Sequence, residues 1–143
     1  MDNRQLTFSH LLYLTAHHWR LAVNRRLKNL GLSQASWAAV ASIARHQQPL
    51  SQSELAQELG VESPTIVPLI HRLVALGLVE RITTASDKRK RLLVVTDKGK
   101  ALYEQVKTVA DDLREEILTA ITPQEQGQTQ RVLEKLLREV EKK

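Results

Sequence analysis

Seven cationic side chains, Arg81, Lys88, Arg89, Lys90, Arg91, Lys98 and Lys100, crowd the segment from Glu80 to Lys100 against only Glu80, Asp87 and Asp97. Guanidinium and ammonium groups at this density cannot be buried together, and their shared chemistry is neutralisation of a polyanion such as nucleic-acid phosphate. A solvated charge run is the plainer alternative for such a segment read in isolation. Upstream, Ser63-Pro64-Thr65 places two hydroxyls at what reads as a helix start, where side-chain oxygens and free backbone N–H groups suit phosphates or base edges. His71 and Arg72 follow about two turns later. Bond-making chemistry has no comparable constellation. The chain carries no phosphate-cradling glycine loop, nucleophile elbow or cofactor motif, and Asp111-Asp112 and Glu115-Glu116 read as a solvated helix face. His17 and His18 point to different helix faces with no carboxylate at ligand spacing, so no metal site is expected. The expectation is a binding protein, not an enzyme.

The elements that must position these groups are legible from 50 to 99. Ser51-Gln52-Ser53-Glu54 is a capping box opening a short helix that Gly60 ends. A second helix is expected from Ser63 as N-cap, with Pro64 at the first helical position and Gly77 as terminator. Three residues separate the two helices, about the length of the turn in a helix-turn-helix. In the second helix Leu69, Leu73 and Leu76 are expected to face the core. After Gly77 the period changes. Residues 78–83 and 91–95 are strand-like, and 84–90 is short and polar enough to be a hairpin tip, so the cations ride on a projecting wing.

The flanks read as helices. Phe8, Leu12, Ala16, Trp19, Val23, Leu27 and Leu30 form one stripe, Ser33 caps a second helix, Thr96 caps a long one, and Thr122-Pro123-Gln124-Glu125 opens the last, whose stripe is Val132, Leu133, Leu136, Leu137 and Val140. These stripes exceed what one small core can bury, which calls for a second copy of the chain. The expected fold is mainly α with a small β-hairpin wing: a winged helix-turn-helix over 32–118, including a long connecting helix, with 1–31 and 119–143 forming the helical dimerisation region of an intertwined homodimer. The 143 residues contain no cysteine, which excludes disulfides, thiolate zinc sites and thiol redox switching. No apolar run approaches membrane length and no signal-peptide pattern is present, so a cytoplasmic protein without membrane partners is expected.

Several segments together resemble the MarR family of bacterial transcription regulators, most closely its SlyA-like branch. They are Leu32-Ser33-Gln34-Ala35-Ser36-Trp37, Gln52-Ser53-Glu54-Leu55-Ala56, Ser63-Pro64-Thr65, Gly77-Leu78-Val79-Glu80-Arg81, and Ala85-Ser86-Asp87-Lys88-Arg89 running to Val94-Val95-Thr96-Asp97-Lys98-Gly99. The resemblance implies a homodimer on double-stranded DNA, with each recognition helix in a major groove, each Arg89 in a flanking minor groove, and Asp87 holding that guanidinium. Such a pairing is chemically apt, since a narrow A·T-rich minor groove favours guanidinium over hydrated ammonium. The DNA-contacting set so implied comprises Ser63, Pro64, Thr65, Pro68, His71, Arg72, Arg81, Asp87, Lys88, Arg89 and Arg91. Pro68 departs from the family pattern, standing where SlyA-like members often carry a basic base-reading residue. Inside a helix it removes one backbone bond. The resemblance also implies a small aromatic carboxylate as effector, for which His10, Tyr13, His17, Trp37 and His46 are the candidate pocket residues; packing in the core or dimer interface is the alternative for the same five. Two readings compete with the operator-binding regulator. One is a winged-helix architectural protein, the other a protein-interaction module without operator recognition.

Overall fold

The computed structural model describes residues 5–83 and 91–143. Among these described residues six α-helices and three strands follow in the order α1 (Phe8–Arg26), α2 (Gln34–Arg45), β1 (Leu50–Ser51), α3 (Gln52–Leu59), α4 (Ser63–Ala75), β2 (Val79–Thr83), β3 (Arg91–Val95), α5 (Asp97–Leu118) and α6 (Pro123–Glu141), with a 3₁₀ turn at Lys28–Leu30. The chain divides into two compact units, Met1–Val109 and Ala110–Lys143. Among the described residues no helix is long and apolar enough to cross a membrane.

In the first unit, local chemistry fixes the helix ends. Ser33 accepts from the Ser36 N–H at 3.2 Å, and Ser51 and Glu54 complete the capping box in both directions at 3.1 Å. Gly60 closes α3 in the left-handed conformation, φ 69°. α4 opens one residue earlier than its sequence suggests. Glu62 is the N-cap, without a side-chain bond, because its carbonyl already accepts from the Thr65 N–H at 3.0 Å; Ser63 is therefore helical and Pro64 second in the helix. The core lies between α2, α3, α4 and the sheet: Val40, Ile43, Leu55, Ile66, Ile70, Leu73, Val79 and Leu93 are among its buried members.

The hairpin pairs β2 with β3 in antiparallel register from Val79 opposite Val95 to Thr83 opposite Arg91. A third strand, unanticipated from sequence, adds to it: β1 pairs antiparallel with β3, giving the order β1-β3-β2. Leu76, expected in the core, is exposed, because the inward stripe of α4 runs Ile66, Ile70, Leu73 and Leu76 falls at the helix end.

A compact junction ties the end of α4 to the start of α5. Thr96 Oγ1 donates to the Gly77 carbonyl at 2.6 Å and accepts from the Gly99 N–H at 3.1 Å, while Lys98 Nζ donates to the Leu76 carbonyl at 2.9 Å. A cation on the last carbonyls of α4 also complements the negative end of its dipole. The second unit contains the rest of α5 and α6. α6 begins where Thr122-Pro123-Gln124-Glu125 is expected to open it, and through a capping box, Thr122 accepting from Glu125 N–H at 3.0 Å and Glu125 accepting from Thr122 N–H at 2.9 Å. α6 has no buried residue.

Candidate nucleic-acid interface

α4 has two faces. Ile66, Ile70 and Leu73 are wholly buried. On the opposite side Pro64, Pro68 and His71 lie in a row at spacings of four and three, flanked by Ser63, Thr65 and Arg72, and all six are exposed. The helix runs through Pro68. Lacking an N–H, Pro68 leaves the Pro64 carbonyl without its intrahelical donor, which puts a backbone acceptor among the outward groups. All six α4 residues named from sequence as DNA contacts are thus exposed, with Pro64, Pro68 and His71 opposite the buried stripe.

Among the wing residues, Arg91 is exposed at the start of β3. Arg81 on β2 is half-buried, and its Nη2 lies 3.3 Å from His71 Nδ1, joining wing to helix. Its Nε is buried with no hydrogen-bond partner among the described residues. An unpaired buried donor costs about 1–3 kcal/mol, which the other contacts of this side chain must offset. Asp87, Lys88 and Arg89 lie outside the described residues.

The five candidate ligand residues do not converge. His10, Tyr13 and His17 occupy an exposed stretch of α1, with the Tyr13 and His17 rings stacked at 5.5 Å. Trp37 is nearly buried, donates from Nε1 to Asn24 Oδ1 at 3.1 Å, and forms part of the wall of a cavity of about 560 Å³. Arg20, Arg45, Glu58, Thr65 and Leu69 also line it. The cavity brings two arginines and an aromatic wall together from α1 and α2, and the sequence singles out neither arginine. No spacing rule links residues 20 and 45; only tertiary packing does.

His46 is part of a polar cluster that includes Arg45 and Glu58 of the cavity lining. Its Nε2 bonds one Glu58 oxygen, the buried Ser42 hydroxyl donates to the other, and Arg45 Nη2 stands 3.9 Å away. The Ser42 hydroxyl, followed by His46 and Arg45, holds the Glu58 carboxyl below the usual carboxylate range, while burial opposes them. Glu58→Ala is expected to destabilise the fold by about 1–3 kcal/mol, since Ser42 keeps its desolvated hydroxyl and loses its acceptor. With a lowered folded-state pKa, the ion's contribution is complete above the unfolded carboxylate value and fades as pH falls through the lower, folded one. The gap in melting temperature between wild type and Glu58→Gln should therefore shrink on acidification below the ordinary carboxylate range; a gap that stays constant throughout that acidification would assign the effect to packing.

A helix-turn-helix whose second helix presents a polar outward face and is followed by a basic antiparallel hairpin defines a winged helix-turn-helix protein. The chain belongs to the MarR family, whose model matches residues 30–90. It is similar to the transcriptional regulator PA3341, at 39% identity over 96% of this chain and 100% of that one, with a TM-score of 0.91. Wild-type MarR of E. coli in its apo form matches at 27% identity over 92% and 98% of the two chains, TM-score 0.77. The MepR–DNA complex of S. aureus shares the fold at 23% identity over 94% and 99%, TM-score 0.82.

Proposed function

We propose that this chain is a cytoplasmic transcription regulator that binds a pseudo-palindromic operator as a homodimer, and that it belongs to the SlyA-like branch. The observation that carries this reading is the outward row of α4, three exposed side chains over a fully buried stripe, immediately followed by a hairpin sequence crowded with cations. In this reading each α4 enters a major groove through Ser63, Pro64, Thr65, Pro68, His71 and Arg72. Arg81, Asp87, Lys88, Arg89 and Arg91 serve the wing, with Arg89 in the minor groove. Residues 1–31 and 119–143 pair two chains, and 32–118 is the DNA-binding region. The likeness to a transcriptional regulator at 39% identity supports the role, and so does the complex of MepR with DNA, since MepR has the same fold.

Selection from random duplex DNA followed by footprinting tests the reading. The expected result is an inverted repeat with half-sites about one helical turn apart, and an affinity that falls steeply with salt. Enrichment of no sequence, with affinity still salt-dependent, would favour the architectural alternative. Affinity for no DNA at all would favour a protein-interaction module.

A small aromatic carboxylate as effector is supported by the cavity that sets Arg20 and Arg45 near Trp37, although His10, Tyr13 and His17 lie elsewhere. Salicylate added to the operator complex at constant ionic strength should release DNA in wild type and not in Arg20→Ala. Equal release by benzenesulfonate would reduce the effect to screening.

A further inference from the structure

We propose that Arg81 is a positioning residue that locks the His71 ring in a single hydrogen-bonding sense, making His71 a reader of acceptors on base edges. The proposal rests on the reading of α4 as the recognition helix and specifies what that helix reads. Arg81 Nη2 and His71 Nδ1 are 3.3 Å apart. A guanidinium carries five N–H donors, has no acceptor and does not deprotonate in proteins, so the nitrogen facing it must supply a lone pair. Nδ1 therefore carries no proton. The one proton of the neutral ring then sits on Nε2, which becomes a donor.

An unheld histidine could present either a donor or an acceptor by exchanging its proton between nitrogens or turning its ring over. Here the second option is closed from behind. His71 shares its outward row with Pro64 and Pro68, whose rings cannot hydrogen-bond, so it is the polar side chain of that row. Arg81 is suited to the holding role: it stands in a paired strand, its Cα opposite that of Leu93, and its buried Nε has no partner among the described residues. In the major groove, acceptors are the N7 of either purine, guanine O6 and thymine O4, and donors are the amino groups of adenine and cytosine. A fixed Nε2–H discriminates between these sets, with guanine, which offers two acceptors and no donor there, the preferred base.

Two measurements on the whole protein test this. Long-range ¹H–¹⁵N correlation NMR on the free wild type should show His71 protonated at Nε2 and bare at Nδ1. In Arg81→Met the signature should move toward a tautomer mixture, while Arg81→Lys, which keeps a donor, should retain more of it. Site selection should then show His71→Ala losing roughly tenfold of its preference at one base pair in each half-site, Arg81→Met losing preference at that same base pair, and Arg81→Lys recovering part of it. 7-Deazaguanine at that position, which keeps O6 and loses N7, should weaken wild-type binding and leave His71→Ala unaffected. Arg81→Met with an unchanged tautomer, or with affinity lowered evenly at every base pair, would reduce Arg81 to a structural role and overturn the proposal. A wild type that selects no motif would sink the operator reading and the base contact together, an outcome distinguishable from failure of the lock because the NMR signature is read without DNA.

Discussion

Leu133→Glu combined with Leu137→Glu should leave the protein monomeric in light scattering and lower its affinity for a two-half-site operator by more than about a hundredfold, the scale on which a second linked contact is worth having. The reason lies in the faces that the two terminal helices expose. On α6, Val132, Leu133, Leu137 and Val140 are 40–68% exposed, and on α1 Phe8 and Tyr13 exceed 60%. Single exposed hydrophobes are ordinary; rows of them along two helices are what the proposed pairing of two chains would cover. A carboxylate buried at each of the two positions would be stranded without a partner, which an apolar seam does not tolerate. Because neither leucine is buried within one chain, the substitutions should leave the circular dichroism of the monomer helical. Loss of operator affinity would then follow from losing one half-site contact, since α4 itself is untouched. A double variant that remains a dimer at micromolar concentration would place the interface on other surfaces.

Legible in the sequence is what depends on neighbours along the chain. The capping boxes at Ser51 and Thr122, the Ser33 cap and the Gly60 terminator each involve residues three or four apart, and each is present. The exposed row of α4 follows from helical period alone. Where two local signals compete, the boundary moves by a residue: Ser63 is a better capping side chain than Glu62, yet the Glu62 carbonyl takes the first helical bond. Strand β1 has no sequence signature because two residues carry no period, and its partner lies about forty positions later. The His71–Arg81 contact spans ten residues across a turn, and Arg20 reaches the Trp37 cavity only through the packing of helices. The candidate effector cluster falls apart for the same physical reason. Helical spacing puts His10, Tyr13 and His17 on related faces of α1, but it says nothing about which element, if any, packs opposite them.

Gly99→Ala should destabilise the DNA-binding unit by about 3 kcal/mol, the upper end of what overpacking usually costs, and should do so through backbone collision. A Cβ built at Gly99 would lie 2.2 Å from the Leu78 carbonyl oxygen and 3.1 Å from Val95 Cβ. Side chains can turn away from a new methyl group; the Leu78 carbonyl cannot, because it already accepts from the Thr96 N–H at 3.1 Å. Relief requires the chain before β2 to move off the first turn of α5, and that opens the junction in which Thr96 bonds the Gly77 carbonyl and Lys98 the Leu76 carbonyl. Those bonds fix where α4 ends, so operator affinity should fall along with stability. Gly127→Ala in α6 is the matched control. There the new Cβ would meet nothing closer than Arg131 Nη1 at 3.5 Å among the described residues, and alanine in a helix interior should stabilise by about 0.5–1 kcal/mol. Urea denaturation with operator titration separates the two. Equal midpoints for Gly99→Ala and wild type would mean that the strand and helix can part without loss, and that the junction does not set the position of the recognition helix.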